Sequence, residues 1–436
     1  MGLPTEVLKA WEACDRTDTL FVLVCCVFCW GIIPAVGIAY SGYTTRSNSL
    51  SAIIPSILAV IVCTIQWFLI GYTLTYSEGG PIFGDFTYAF HRGVLSEPVG
   101  TIPAILFSFF QLVFQATVCA IALWSTFVYN PLAHMVWGGG FLQNLGVVDF
   151  AGGTPVHINS GATCTALSVY LSYPLFRSKR SSTRTPSHLV VHRPVNSLCQ
   201  LLAMISIWGS WLAFDAGTTL AFNFKSVMAL CVTNLCAASG ALTWMLHTYI
   251  EVGRWSLDSC FMGAISGLIM VTPSAGFVDM PSAMAFGIVG ALFCRQMLRI
   301  KYTDFARRWR WVDHGDTFAT HCLGGFLATI GTGFLARKDV AGYDGVTEIV
   351  GGVFFDGNVR QLGIQVVEAT VGFTWSFVGS YVIYALIDCV PRFEVLAEDK
   401  DIIAGLDASQ MDEETLWTET QKYSPFAEPT GELHLD

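Results

Sequence analysis

The sequence predicts an all-α polytopic membrane protein, and three observations support this fold class. Of the 436 residues, 53% are hydrophobic and only 13% are charged, whereas soluble domains carry about 25% charged residues. The mean hydropathy is +0.54. The charges are also segregated, so that long apolar stretches follow one another along the chain. Because a spanning helix needs about 20 mostly apolar residues, these stretches predict repeated membrane crossings.

Ten apolar runs are the candidate spans. They cover residues 20–43, 50–76, 102–137, 157–173, 195–214, 226–250, 260–278, 283–298, 318–336 and 362–390. We therefore divide the chain into an extracellular N-terminal segment (1–19), a transmembrane domain (20–390) and a cytoplasmic tail (391–436). The tail holds twelve acidic and three basic residues, so its charge of −9 accounts for nearly all of the net −10. This acidity gives no indication of a nucleic-acid partner.

Basic residues in the connecting loops predict the orientation, because Lys and Arg are enriched on the cytoplasmic side. Two clusters lie an even number of runs apart and are both expected inside: Arg177, Lys179, Arg180, Arg184 and Arg193, and then Arg295, Arg299, Lys301, Arg307, Arg308 and Arg310. The N-terminus is then outside and the tail is cytoplasmic. We expect a multi-pass protein of the plasma membrane.

The third run does not fit a single crossing. Its 36 residues would span ~54 Å as one helix at 1.5 Å per residue, yet as two full helices it lacks about ten residues and a polar turn. Either it enters and leaves by the same face as a short hairpin, or residues have been lost from a longer ancestor. We favour loss.

Several ordered motifs follow this run. They are 129–137 (YNPLAHMVW), 149–161 (DFAGGTPVHINSG), 211–218 (WLAFDAGT), 316–325 (DTFATHCLGG) and 405–407 (GLD). Together they resemble the signature of the ammonium transporter family (Amt/Mep/Rh), Mep/Amt branch, and they resemble its fungal members most. The resemblance implies an eleven-helix fold, a pseudo-twofold 5+5 arrangement plus one helix. It also implies that helices 3 and 4 are shortened or fused, because about 25 to 30 residues, roughly one span and a turn, are missing between 117 and 121.

The resemblance further implies transmembrane transport of ammonium or ammonia by a homotrimer, or by a hetero-oligomer with paralogues, and not an enzyme. Moving an intact cation through hydrocarbon is costly, whereas neutral ammonia crosses far more easily. A path that first removes the proton also rejects potassium, which has none to give. We expect no cofactor and no metal site. The pair Cys26 and Cys29 is read as apolar packing, because Cys in such stretches behaves as a small hydrophobe.

Site residues carry over by motif position. The outer ammonium site is expected at Trp137 and Phe114, with the Thr218 hydroxyl beside them and Asp149 stabilising the site without touching the ion. Cation–π attraction of ~0.5–2 kcal/mol would hold the cation there. From the residues alone, Trp137 reads equally as an interfacial anchor and Asp149 as a helix N-cap.

The gate and the proton relay are expected deeper in the membrane. Phe214 matches one gate residue of the family, and the second gate position falls at Val118. His157 and His321 match the paired pore histidines, and histidine can donate and accept a proton at once. Asp316 is expected to order a helix start. Asp215 stands where the family usually has asparagine, and no role is assigned to Glu368.

Two other interpretations remain open. One is a gas channel of the Rh kind, against which the motifs around Trp137 and Asp149 argue. The other is an ammonium sensor or a non-conducting, truncated regulatory isoform, which the missing part of helices 3 and 4 favours.

Overall fold

The structure is a computed structural model that describes residues 4–118, 121–172, 196–308, 311–390, 393, 395, 397, 401 and 405–411. The helices of these residues are α1 (Pro4–Glu12), α2 (Arg16–Tyr43), α3 (Ser49–Tyr76), α4 (Ala104–Val118), α5 (122–137), α6 (Phe141–Leu145), α7 (153–172), α8 (Ser197–Gly217), α9 (Phe224–Val252), α10 (Leu257–Val271), α11 (Met280–Tyr302), α12 (Asp304–Arg308), α13 (Phe318–Leu335), α14 (Lys338–Ala341), α15 (Val353–Asp356), α16 (Val359–Asp388) and α17 (Leu406–Met411). Strands β1 (Pro98–Val99) and β2 (Ile102–Pro103) form an antiparallel hairpin before α4.

The predicted membrane fold is confirmed. Seven of these helices, α2, α3, α8, α9, α11, α13 and α16, are each long and apolar enough to cross a bilayer. Within the described residues, α4, α5, α7 and α10 complete a set of eleven. Three of the eleven contain a π-helical turn in their first half or at their start: Ser125–Tyr129 in α5, Gly153–Ile158 in α7 and Phe318–Cys322 in α13. Such turns are rare and recur at functional sites.

The long third run folds as two shortened helices, as the sequence predicted. Helix α4 has 15 residues, which at 1.5 Å per residue extend ~23 Å, less than the ~30 Å hydrocarbon core. The axes of α4 and the following helix segment differ by 118°. The run therefore turns back on itself, and each arm is shorter than a full span.

Close packing of α9, α10 and α11 forms one side of the molecule, and glycine permits it. Gly240 of α9 and Gly263 of α10 face each other, so that a Cβ on either would press on the backbone carbonyl of the other. Gly267 lies equally close to the carbonyl of Cys236. Small residues at helix crossings let the backbones of neighbouring helices approach this closely in a membrane.

Part of the tail packs against the start of α3. The buried Asp407 carboxylate accepts hydrogen bonds from the backbone N–H groups of Leu50 (3.1 Å) and Ser51 (2.8 Å) and from the Ser51 hydroxyl (2.6 Å). The N–H of Leu406 donates to Asn48 Oδ1 at 2.8 Å. The GLD motif thus caps the α3 N-terminus. The basic cluster between 177 and 193, Arg310, and the tail beyond 411 lie outside the described residues, so the predicted orientation stays a prediction.

Candidate functional site

Two histidines from distant motifs meet inside the helix bundle. His157 lies in the π turn at the start of α7, and His321 lies in the π turn at the start of α13. Their Nδ1 atoms are 3.3 Å apart, and the ring centroids are 5.4 Å apart. His157 is completely buried, and its Nε2 has no hydrogen-bond partner. The predicted pair is therefore in direct contact, with one unused polar atom.

Trp211 of α8 covers the ring of His157. The two rings stack with centroids 5.3 Å apart at an interplanar angle of 20°. The indole N–H of Trp211 donates to the Thr272 hydroxyl at 3.0 Å, which fixes the orientation of the indole. The sequence analysis quoted Trp211 within a motif but assigned it no role. Its spacing from Phe214, three residues along the same helix, places both side chains on one face, and this signal could have identified it.

A stacked phenylalanine pair lies next to these rings. Phe114 and Phe214 are both buried, with ring centroids 3.9 Å apart at 24°. Phe214 is 6.2 Å from the Trp211 ring. The structure therefore brings Phe114 against Phe214 and leaves Val118, the position expected for the second gate residue, at the partly buried end of α4. The expected gate role of Val118 stays a prediction, and the ring that contacts Phe214 is that of Phe114.

Trp137 lies at the other edge of the phenylalanine pair. Its ring meets Phe114 edge-on, with centroids 6.0 Å apart at 89°. The indole N–H donates to the backbone carbonyl of Asp149 at 2.9 Å, and the side chain is only half-buried. The Thr218 hydroxyl donates to the Phe214 carbonyl at 2.9 Å. A continuous line of ring contacts thus connects Trp137 with His321.

The Asp149 carboxylate holds the loop that precedes His157. It accepts hydrogen bonds at 2.8 Å from the backbone N–H groups of Gly152, Gly153 and Thr154, the groups that a helix start leaves without partners. Gly152 has φ +113°, a conformation open to glycine. Asp149 therefore orders the π turn at the start of α7.

Two further buried carboxyl groups, Glu368 and Asp215, had no predicted role in the site. Glu368 of α16 accepts from Gln365 Nε2 at 3.0 Å and also contacts Asp149 and Thr154. Asp215 accepts a hydrogen bond from the Thr233 hydroxyl of α9 at 2.7 Å. Each leaves one oxygen without a partner. The structure thus explains Asp215 as a contact between α8 and α9.

Asp313 orders the start of α13. The sequence analysis had expected Asp316 in this role. Asp313 accepts from the N–H groups of Phe318 (2.7 Å) and Ala319 (3.0 Å), whereas Asp316 forms an ion pair with Lys301. Burial raises the pKa of Asp313 to about 7, against the opposing effect of these two hydrogen bonds. A titratable cap therefore precedes the turn that carries His321.

The fold and this site define a class: a polytopic α-helical membrane protein with a line of aromatic rings and a paired imidazole enclosed in its bundle. Within the described residues, no group of three or more His, Cys, Asp or Glu side chains is placed to hold a metal ion. The chain belongs to the Ammonium Transporter Family, whose sequence profile matches residues 20–416. It is thus related to membrane transport proteins and is not an enzyme.

Named relatives agree with this membership. The chain is 31% identical to "Ammonium transporter 1" of Schizosaccharomyces pombe over 422 residues, which cover 92% of this chain and 82% of the relative. It is 30% identical to "Ammonium transporter MEP2" of Saccharomyces cerevisiae, covering 91% and 82%. Its structure is similar to the crystal structure of Candida albicans Mep2, with a TM-score of 0.79, 32% identity, and coverage of 96% and 91%.

Proposed function

We propose that this protein carries ammonium across the plasma membrane by binding the ion at an outer aromatic site, removing a proton, and passing ammonia along a path that ends at two histidines. The observation that carries this proposal is the unbroken line of ring contacts from Trp137 through Phe114, Phe214 and Trp211 to the histidine pair. Such a line is apolar along most of its length and polar at one end.

The outer end of this line suits a cation. The half-buried Trp137 offers a ring face, and its N–H is engaged by the Asp149 carbonyl, which holds that face in place. Cation–π attraction contributes ~0.5–1 kcal/mol at exposed sites and ~2 kcal/mol or more after desolvation. The Thr218 hydroxyl, one turn from Phe214, supplies an acceptor oxygen near this end. Asp149 acts on the site through Trp137 and the backbone.

We assign the gate to Phe114 together with Phe214. Rings stacked at 3.9 Å are in van der Waals contact, so a molecule passes only when one ring rotates. Phe114 also touches Trp137, and it therefore belongs to the outer site and the gate at once. This assignment replaces Val118 as the second gate residue.

The histidine pair supplies the proton chemistry. An ammonium ion that enters the apolar segment loses its hydration, which disfavours the charged form. An imidazole both donates and accepts near neutral pH, and the 3.3 Å Nδ1–Nδ1 contact joins the two rings in one hydrogen bond. The free Nε2 of His157 is the atom available to a substrate. Proton and ammonia then leave by separate routes.

Assembly and orientation form part of the same proposal. We infer a homotrimer, or a hetero-oligomer with paralogues, with the N-terminus outside and the tail inside. The contact of Asp407 with the start of α3 supports a tail on the same side as the loop between α2 and α3. That loop carries Arg46, which the charge rule places in the cytoplasm.

The test is uptake in cells that lack ammonium carriers of their own. Expression of this chain should restore growth on low ammonium and import labelled methylammonium. The variant Trp211→Leu keeps an apolar side chain but removes the ring that covers His157, and it should reduce uptake at normal surface expression.

The second candidate is an ammonium sensor or a non-conducting isoform. The short α4, with only 15 residues, favours it, because part of each pore wall is absent. Normal surface expression without any uptake, together with uptake after a full-length connection between α4 and α5 is inserted, would establish this candidate and overturn transport by the present chain.

A further inference from the structure

One buried histidine outside the pair described above cross-links the outer end of the protein. His134 lies in the last turn of α5 and is 1% exposed. Its Nδ1 is 2.9 Å from the backbone carbonyl oxygen of Thr75, at the end of α3. Its Nε2 is 3.0 Å from the carbonyl oxygen of Gly80, in the following loop. The ring thus joins three segments of chain.

Both partners of this ring are acceptors. A backbone carbonyl oxygen has lone pairs and no hydrogen, and a neutral imidazole carries only one N–H. In either neutral tautomer, one ring nitrogen would direct its lone pair at a carbonyl lone pair about 3 Å away, the distance of an ordinary hydrogen bond. Only the imidazolium donates to Thr75 and Gly80 together.

The helix dipole at His134 favours a positive charge on the ring, and among the described residues no carboxylate pairs with it. The ring sits at the C-terminal end of α5, where the helix dipole favours a cation. Titratable side chains on the elements packed against α5 include Tyr72 and Tyr76 of α3, His157 of α7 and Glu368 of α16, and the nearest acids along the chain are Glu78 and Asp149. The Asp149 carboxylate is engaged by backbone N–H groups. Among the described residues, no carboxylate forms an ion pair with His134.

His134 also fixes the backbone that carries Trp137. Its carbonyl oxygen accepts from the N–H groups of Gly138 (2.9 Å) and Gly140 (3.0 Å), which closes α5 just after Trp137. A Cβ on Gly138 would collide with the Thr75 carbonyl, so the helix end and the end of α3 are in direct contact. The helix end that carries Trp137 is therefore held by the two ring contacts of His134 and by the two hydrogen bonds to its backbone carbonyl.

We propose that His134 is a positioning residue: its ring donates to Thr75 and Gly80 together, as an imidazolium, and thereby holds Trp137 in its binding orientation. A side chain that donates to only one of these carbonyls loses one link, and binding at the outer site then weakens. The functional part of this inference rests on the proposed function, whereas the protonation state of His134 does not.

The protonation state is tested directly on the purified, intact protein in lipid nanodiscs. Histidine labelled with ¹⁵N gives two protonated ring signals for an imidazolium and one protonated plus one unprotonated signal for a neutral ring. The His134 signals are those lost in His134→Gln. We expect the imidazolium pattern under the buffer conditions of the uptake assay, because both ring nitrogens face carbonyl oxygens. A neutral pattern there would overturn the proposal, whatever the protein transports.

Uptake kinetics test the consequence. His134→Gln, with a single nitrogen, should raise KM for labelled methylammonium several-fold and leave the maximal uptake rate unchanged. His134→Arg keeps several donors, and it should keep a KM close to that of the wild type. A wild-type KM in His134→Gln would refute the positioning role. Absence of any uptake by the wild type would instead refute the proposed transport function.

Discussion

The Nδ1 atoms of His157 and His321 lie 3.3 Å apart although the residues are 164 positions apart in the chain. Two nitrogens of neutral imidazoles form such a contact only if one donates and the other accepts. The pair therefore shares one proton across this contact, and Nε2 of His157 has no hydrogen-bond partner among the described residues. The π turns that carry the two rings widen the helices at these positions and bring the rings together.

Removing either ring should disable transport. His157→Ala and His321→Ala each delete one partner of the relay, and positioned proton transfer contributes about 100-fold or more to a rate. Labelled methylammonium uptake should fall by at least this factor at equal surface expression. The matched control is His247→Ala, because His247 pairs with Glu251 near the end of α9, far along the chain from either π turn. Uptake in the pore variants equal to the control would refute the relay.

Opening the stacked pair should reduce selectivity before it reduces flux. Phe114→Ala removes the ring that lies 3.9 Å from Phe214, so water and other small cations gain access to the path. Liposomes containing this variant should show potassium or proton leak that the wild type lacks. Val118→Ala is the control, since that residue sits at the end of α4. A leak in Val118→Ala but not in Phe114→Ala would restore the original gate assignment.

Loss of the Asp149 carboxylate should destabilise the protein as well as the outer site. Asp149→Ala leaves the N–H groups of Gly152, Gly153 and Thr154 without their acceptor, and hydrogen bonds to a charged group contribute ~1.5–3 kcal/mol each. We expect a clearly lower thermal unfolding temperature in detergent, with a smaller loss for Asp149→Asn, which keeps one acceptor oxygen. An unchanged unfolding temperature for Asp149→Ala would show that water replaces the carboxylate.

Apolar length predicted a polytopic membrane fold with ten candidate spans, and the resemblance to the ammonium transporter family supplied the count of eleven helices. It also brought His157, His321, Trp137 and Phe214 together as candidates, and the structure places them on one connected line. Each of these residues lies in one of the ordered motifs that resemble the family signature.

Other features could not be read from the chain because they depend on packing between segments. Val118 and Phe114 are one turn apart on α4, and only the contact with Phe214 distinguishes them. Asp313 and Asp316 are equally plausible caps in sequence, and the difference is that Lys301 engages Asp316. The two carbonyl partners of His134 come from backbone, which leaves no signal in residue identity.

The ion pair between Lys225 and Asp344 should tie the loop after α14 to the start of α9. Nζ and Oδ2 are 2.9 Å apart, and both side chains are almost fully buried. Removing one partner of a buried pair costs ~3–5 kcal/mol, so Lys225→Met and Asp344→Asn should each lower the unfolding temperature. The double variant should lose less in unfolding temperature than the sum of the losses in the two single variants. Additive losses would mean that the pair contributes no coupling.

The same pair predicts an acid limit. Burial alone would raise the pKa of Asp344, but hydrogen bonds from Thr347, Val346 and Lys225 outweigh it and hold the pKa well below the usual value. A lowered folded-state pKa stabilises the fold above the unfolded-state value and loses that contribution as the pH falls below it. The difference in unfolding temperature between the wild type and Asp344→Asn should therefore begin to shrink as the pH falls below about 4, the usual value for Asp, and should keep shrinking toward the lower folded-state pKa.

Asp313 should produce the opposite pH dependence. Its folded-state pKa is raised from 3.8 to about 7, chiefly by burial. The folded protein thus holds this proton more tightly than the unfolded chain, so the contribution is full at low pH and is lost as the pH rises from about 4 to about 7. Asp313→Asn cannot titrate and should remove this part of the pH dependence of the unfolding temperature. The double variant with Asp344→Asn separates the two carboxyl groups. If Asp313→Asn retained the wild-type slope between pH 5 and pH 7, another group would be responsible.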